Sequence, residues 1–173
     1  ASPTKANLEL AKKVLKLAPM GDRCKIANQL LAFSPDEELV AIAMGFVAAS
    51  PDAPLSFRMV RRLCKIDPAF AVPWLADWAE TALPPQQYEA LVSILSVSSE
   101  PKYLEMAHAI LSANDREGLP EAFMDKANLL RQMLKHDQSP EFLAYVKAFL
   151  ERQNHKVAEI KRLAKRYDKV AEH

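Results

Sequence analysis

Apolar residues recur along this chain at spacings of three and four, in blocks of helical length. Leu8, Ala11, Leu15 and Ala18 share one face of a first block, with Lys12, Lys13 and Lys16 left for solvent. Ile26, Leu30 and Phe33 form the apolar positions of a second block, which Asp22 can cap. Residues 39–49 are apolar nearly all round, which predicts a helix covered on several sides. A fourth block interleaves Leu55, Phe57, Met59, Val60, Leu63, Cys64 and Ile66 with charge, and residues 86–97 and 103–113 continue the series. No segment sustains a period of two; residues 92–97 come nearest. The pattern predicts an all-α chain.

Proline punctuates these blocks. Pro35, Pro51, Pro68, Pro84 and Pro101 follow one another at gaps of 16, 17, 16 and 17, so every second one lies 33 residues on. Proline lacks the N–H that the first turn of a helix leaves unused, so it suits helix starts. Ser34 and Pro35 with Asp36, Glu37 and Glu38 read as a capped start whose acids complement the positive helix end. Pro73 would break a running helix, so the fifth helix is expected to begin near Val72, with residues 68–71 as connection. Residues 114–120 read as a longer connection. From Ser139-Pro140-Glu141 onward, Phe142, Val146, Phe149, Val157, Ile160, Ala164, Tyr167 and Ala171 keep helical spacing to the end. That predicts one long helix, or two with a joint at Gln153-Asn154-His155.

An even beat of helices that each need a neighbour to hide an apolar face describes a repeat array. The expected architecture is a right-handed αα-superhelix of about nine to ten short antiparallel helices, closed by a longer C-terminal capping helix. In that reading the chain is one domain, with stacked short helices over residues 1–139 and a long basic helix over 140–173.

Composition narrows the function. Half of the 173 residues are hydrophobic, enough for a continuous core, and no apolar run is long enough to span a membrane. No charged-then-apolar start resembles a signal peptide. The first residue is Ala1, which reads as a trimmed chain or a piece of a longer one. Three glycines are too few for phosphate-cradling loops or hairpin turns. Cys24 and Cys64 each lie in an apolar block and read as buried free thiols, which favours a reducing, cytoplasmic setting. The net charge of +1 is uneven: residues 1–33 carry +4, 34–100 carry −5, 101–139 carry −1 and 140–173 carry +3.

Residues 38–70 resemble a tetratricopeptide unit. Ala43-Met44-Gly45-Phe46-Val47 is similar to its first helix, and Phe57 through Leu63 to Asp67-Pro68 is similar to its second helix with the closing Asp-Pro. HEAT-like and other αα-superhelices resemble the pattern as well. The resemblance implies a curved scaffold that grips a peptide or protein, and it implies no catalysis.

Several constellations bear on partners. Arg58, Arg61, Arg62 and Lys65 stand at i, i+3, i+4 and i+7 on one helical face. Such a stripe is either a solvated outer face or an anion site for acidic side chains or phosphates. As an anion site it predicts that charge reversal at Arg61 and Arg62 abolishes binding and leaves unfolding unchanged. Lys161, Lys165 and Arg166 crowd the last helix beside Arg162, Lys169 and Tyr167, either as a polar outside or as a nucleic-acid surface. Trp74 and Trp78 are i, i+4, with Tyr88 opening the next helix; they are core packing or recognition anchors.

Glu105 and His108 form half of a carboxylate–histidine metal motif with no second copy, so no metal or cofactor is predicted. Asp77 and Glu80 read as ordinary surface charges. No nucleophile elbow, Walker loop or dinucleotide fingerprint occurs, and no catalytic residue is predicted. The leading expectation is a non-catalytic, protein- or peptide-binding helical module, whose arginine stripe suits an acidic partner. Nucleic-acid binding through the basic stripes is the alternative. A deep polar pocket where histidine and carboxylates converge would instead favour an enzyme.

Overall fold

Local chemistry starts most helices where the pattern places them. The computed structural model describes residues 4–33, 35–117, 122–153 and 157–172, and these residues form ten α-helices and no strand. They are α1 (Lys5–Leu17), α2 (Met20–Leu30), α3 (Glu37–Ala49), α4 (Pro54–Leu63), α5 (Pro68–Thr81), α6 (Pro84–Leu95), α7 (Pro101–Glu117), α8 (Phe123–Met133), α9 (Pro140–Glu151) and α10 (Ala158–Ala171). Proline is the first residue of α4, α5, α6, α7 and α9. Polar side chains cap others: Thr4 accepts from the Asn7 N–H, Asp36 from Leu39 and Ser139 from Phe142.

Four expectations are corrected. The cap of α3 is Asp36, two residues beyond the expected Ser34, which lies outside the described residues. α5 begins at Pro68, not Val72, and runs through Pro73. Asp67 starts it by accepting the Phe70 N–H at 3.1 Å. Pro73 and Ala69 are both exposed, so the one lost backbone bond falls on the solvent side. Helix α7 continues through residues 114–117, expected to be connection. Asn114 is held there by bonds from its Nδ2 to Gln87 Oε1 and the Tyr88 hydroxyl, at 3.0 and 3.1 Å. The C-terminal stretch is two helices, α9 and α10, the second of the two expected arrangements, and not a single long capping helix. Of the expected joint, Gln153 is non-helical, and Asn154 and His155 lie outside the described residues.

The chain divides into two compact units, Ala1–Leu75 and Ala76–His173. In the first unit α1 packs on α2, α2 on α3 and α3 on α4, and α2 also meets α4. Leu15, Cys24, Leu39, Met59 and Leu63 fill its core. α3 buries only Leu39, Ala43 and Val47. Its outward positions Ala41, Gly45 and Ala48 are small, so a helix apolar all round leaves little apolar area exposed. Phe33, expected on the apolar face of the second block, is 56% exposed.

In the second unit α8 is the centre. It packs on α6 and on α10, while α6 meets α7 and α10 meets α9. Ala127, Leu129, Leu130, Met133 and Leu134 are fully buried there. Each large side chain so buried contributes about 1.5–3 kcal/mol. Gln132 and His136 both bind the Leu95 carbonyl that ends α6, at 2.7 and 3.0 Å. No helix among the described residues is long and apolar enough to cross a membrane.

Candidate functional site

Within the second unit a cleft of about 460 Å³ opens between α7 and α9. α7 contributes His108, Leu111, Ser112 and Asp115, which stand at i, i+3, i+4 and i+7 and so share one face. The turn into α9 contributes Asp137 and Ser139, and the first turns of α9 contribute Glu141, Phe142 and Tyr145. The walls are apolar and aromatic, with a few converging polar groups. That is the usual make-up of a ligand pocket, and the volume falls in the usual range.

Two sets of bonds hold the walls. His108 Nε2 lies 2.9 Å from Asp137 Oδ2, and the other Asp137 oxygen accepts the Ser139 N–H at 2.8 Å. The His108 ring meets Phe142 edge-on, with centroids 5.0 Å apart. At the other end the Tyr145 hydroxyl donates to Asp115 Oδ2 at 2.7 Å, and Lys126 Nζ reaches Asp115 Oδ1 at 2.5 Å. The Lys126 side chain is 3% exposed, and its ammonium sits 5.5 Å from the centroids of both Tyr145 and Phe149. Those ring faces and the carboxylate compensate a charge that burial alone would penalise.

The electrostatics fix the charge states. Burial pushes Asp115 upward, but hydrogen bonds from Lys126 and Tyr145 and the Lys126 charge outweigh it and hold the carboxyl below its ordinary value. Asp137 is likewise raised by burial and brought lower overall by Ser139 and His108. Burial and the neighbouring Asp115 carboxylate push the Tyr145 phenol far above its ordinary value. The carboxylates stay ionised and the phenol stays protonated. Among the described residues, no group of three histidine, cysteine or acidic side chains is placed to hold a metal ion.

The residues singled out from sequence are dispersed. In the first unit Arg58, Arg61, Arg62 and Lys65 share a face of α4, but the stripe is partly committed. Arg62 Nη1 donates to the Asn28 carbonyl of α2 at 2.7 Å, and the Arg61 guanidinium lies 5.6 Å from the Phe57 ring. Trp74 and Trp78 are half-buried on α5. In the second unit Tyr88 is 3% exposed, part of the core under Asn114. Lys161 and Lys165 are exposed on α10, and Arg166 is half-buried. Glu105, Asp77 and Glu80 are exposed, and His108 pairs with Asp137 rather than Glu105. The cleft's other residues carried no motif in the sequence. The spacing of His108, Ser112 and Asp115 on one face was the available signal.

The fold and site thus define an all-helical chain with a preformed, carboxylate-rimmed cleft in its second unit. No family model matches the sequence, no curated protein matches it, and no solved structure matches the fold.

Proposed function

We propose that this chain is a non-catalytic, protein- or peptide-binding helical module of the αα-repeat kind, and that the α7–α9 cleft docks a partner residue. Support for the repeat organisation comes from the even-numbered helices. α2 meets α4 in the first unit, and α8 meets both α6 and α10 in the second, as the inner helices of stacked pairs would.

The observation that carries the docking reading is the state of the cleft's polar groups. Asp115 and Asp137 are each tied on both oxygens and held below their ordinary range, and Tyr145 is held above its own. General acid–base catalysis wants groups poised near the working pH. These groups are displaced away from it, so they are built to stay charged or neutral and to shape a surface. Cys24 and Cys64, the two cysteines, are buried, and burial raises both thiols, Cys64 to about 11, which makes poor nucleophiles.

The test is an affinity capture with nuclease and at two salt concentrations, using the wild-type chain and Ser112→Trp. Ser112 is exposed at the cleft, so the larger ring obstructs it without entering the core. A nuclease-resistant protein partner held by the wild type and lost by Ser112→Trp is the expected result. Equal capture by both, or capture that nuclease removes, overturns the reading.

A further inference from the structure

We infer that the group docked in the α7–α9 cleft is an arginine side chain of a partner protein, anchored on Glu141. The inference rests on the reading of the cleft as a partner site and names what enters it.

Three carboxylates line the cleft, but they are not equivalent. Asp115 is matched at its own end by Lys126, and the Arg152 charge also reaches it. Asp137 gives one oxygen to the Ser139 N–H and the other to His108. The Glu141 side chain is exposed, lines the cleft and makes no hydrogen bond or ion pair among the described residues. The cleft therefore keeps one uncommitted carboxylate, at the end where only His108 among the lining residues can carry positive charge. A cation entering there finds attraction without having to displace an internal bond.

The form of the cation follows from the walls. Tyr145 is the half-exposed ring of the cleft; Phe142, nearly parallel to it at 13° with centroids 6.3 Å apart, and Leu111 are buried and leave only their edges to the apolar lining. A guanidinium presents a flat fork that meets a carboxylate through two parallel hydrogen bonds and stacks on aromatic faces. Its three-methylene stem suits the apolar lining. An ammonium matches Glu141 as a point charge only. A phosphate or an acidic side chain would meet three carboxylates, so the cleft's charge selects against both.

The experiment titrates the full chain with N-acetyl-arginine amide, N-acetyl-lysine amide, the neutral isostere N-acetyl-citrulline amide and N-acetyl-glutamate amide. Binding is followed by NMR shifts at His108 and Tyr145. The arginine probe is expected to bind about tenfold more tightly than citrulline, the ratio that one charge-assisted fork supplies. The lysine probe falls between them and the glutamate probe does not bind. Glu141→Gln abolishes the arginine preference, and Glu141→Asp restores part of it, with helicity unchanged in both variants. Equal binding of arginine and citrulline, tighter binding of lysine, or indifference to Glu141→Gln overturns the assignment. If Ser112→Trp loses its partner but no arginine preference is seen, the docking reading stands and this inference falls. If arginine binds but capture ignores Ser112→Trp, the inference as a partner contact also falls.

Discussion

His108 Nε2 lies 2.9 Å from Asp137 Oδ2, so a contact between side chains 29 residues apart joins the middle of α7 to the turn that starts α9. The mouth of the cleft is set by that pair, because the same Asp137 also fixes the backbone of Ser139, whose side chain caps α9. Holding these helices together is what keeps Glu141 and Phe142 at the cleft wall.

Acid should loosen this unit in a defined window. Asp115 and Asp137 are both held below their ordinary value of 3.8. A depressed carboxyl contributes stability that is fully present above the unfolded value and is lost as pH falls through the lower folded value. Urea unfolding should therefore lose free energy below about pH 4, and the loss should be shallower in Asp115→Asn/Asp137→Asn. At pH 7 Asp137→Asn alone should cost about 1–2 kcal/mol, since a hydrogen bond to a charged group is weakened. Parallel pH profiles for the variant and the wild type would contradict this.

Lys126 should be the most sensitive position of the cleft's frame. Its side chain is buried against Tyr145 and Phe149, while Asp115 keeps partial access to solvent. Asp115→Asn takes a carboxylate from a buried ammonium, and Lys126→Met strands only a half-solvated carboxylate. The first should cost about 3 kcal/mol, at the low end for breaking a buried pair, and the second less. The double variant should cost less than the sum of the two. A thermodynamic cycle by chemical denaturation checks the coupling, and additivity would show the pair to be inert.

Charge reversal in the α4 stripe should not be silent. On helical spacing alone, Arg61 and Arg62 read as replaceable with unfolding nearly unchanged. Arg62, however, ties α4 to the carbonyl of Asn28 in α2. Arg62→Glu should lower stability by about 1 kcal/mol, and Arg58→Glu, exposed and without such a bond, should stay within about 0.5 kcal/mol. Thermal melts of the two single variants distinguish them, and equal midpoints would show the Asn28 bond to be energetically empty.

The thiols should be slow to react. Cys24 and Cys64 are both 1% exposed, and burial pushes Cys64 up to about 11. Alkylation by iodoacetamide at pH 7.5 should be slow in the native chain and complete in denaturant, because the thiolate is the reactive form. Rapid native labelling of Cys64 would mean that the first unit opens readily.

What the sequence by itself determined is the helical nature of the chain and most of its punctuation. Proline at a first turn and a side-chain cap act within a few residues, so Pro84, Pro101 and Ser139 could be read locally, while Pro51 stands in the turn before α4 begins at Pro54. Where tertiary partners intervened, local reading failed. Residues 114–117 remain helical because Asn114 and Asp115 find partners on α6, α8 and α9, and α8 became the centre of its unit only because α6 and α10 both lie against it. The cleft belongs wholly to that second category. Its carboxylates come from positions 115, 137 and 141, and which of them is left uncommitted depends on Lys126, Tyr145, Ser139 and His108 arriving from other elements. A side chain's spare hydrogen-bonding capacity is decided by its neighbours in space, and periodicity along the chain carries no record of them.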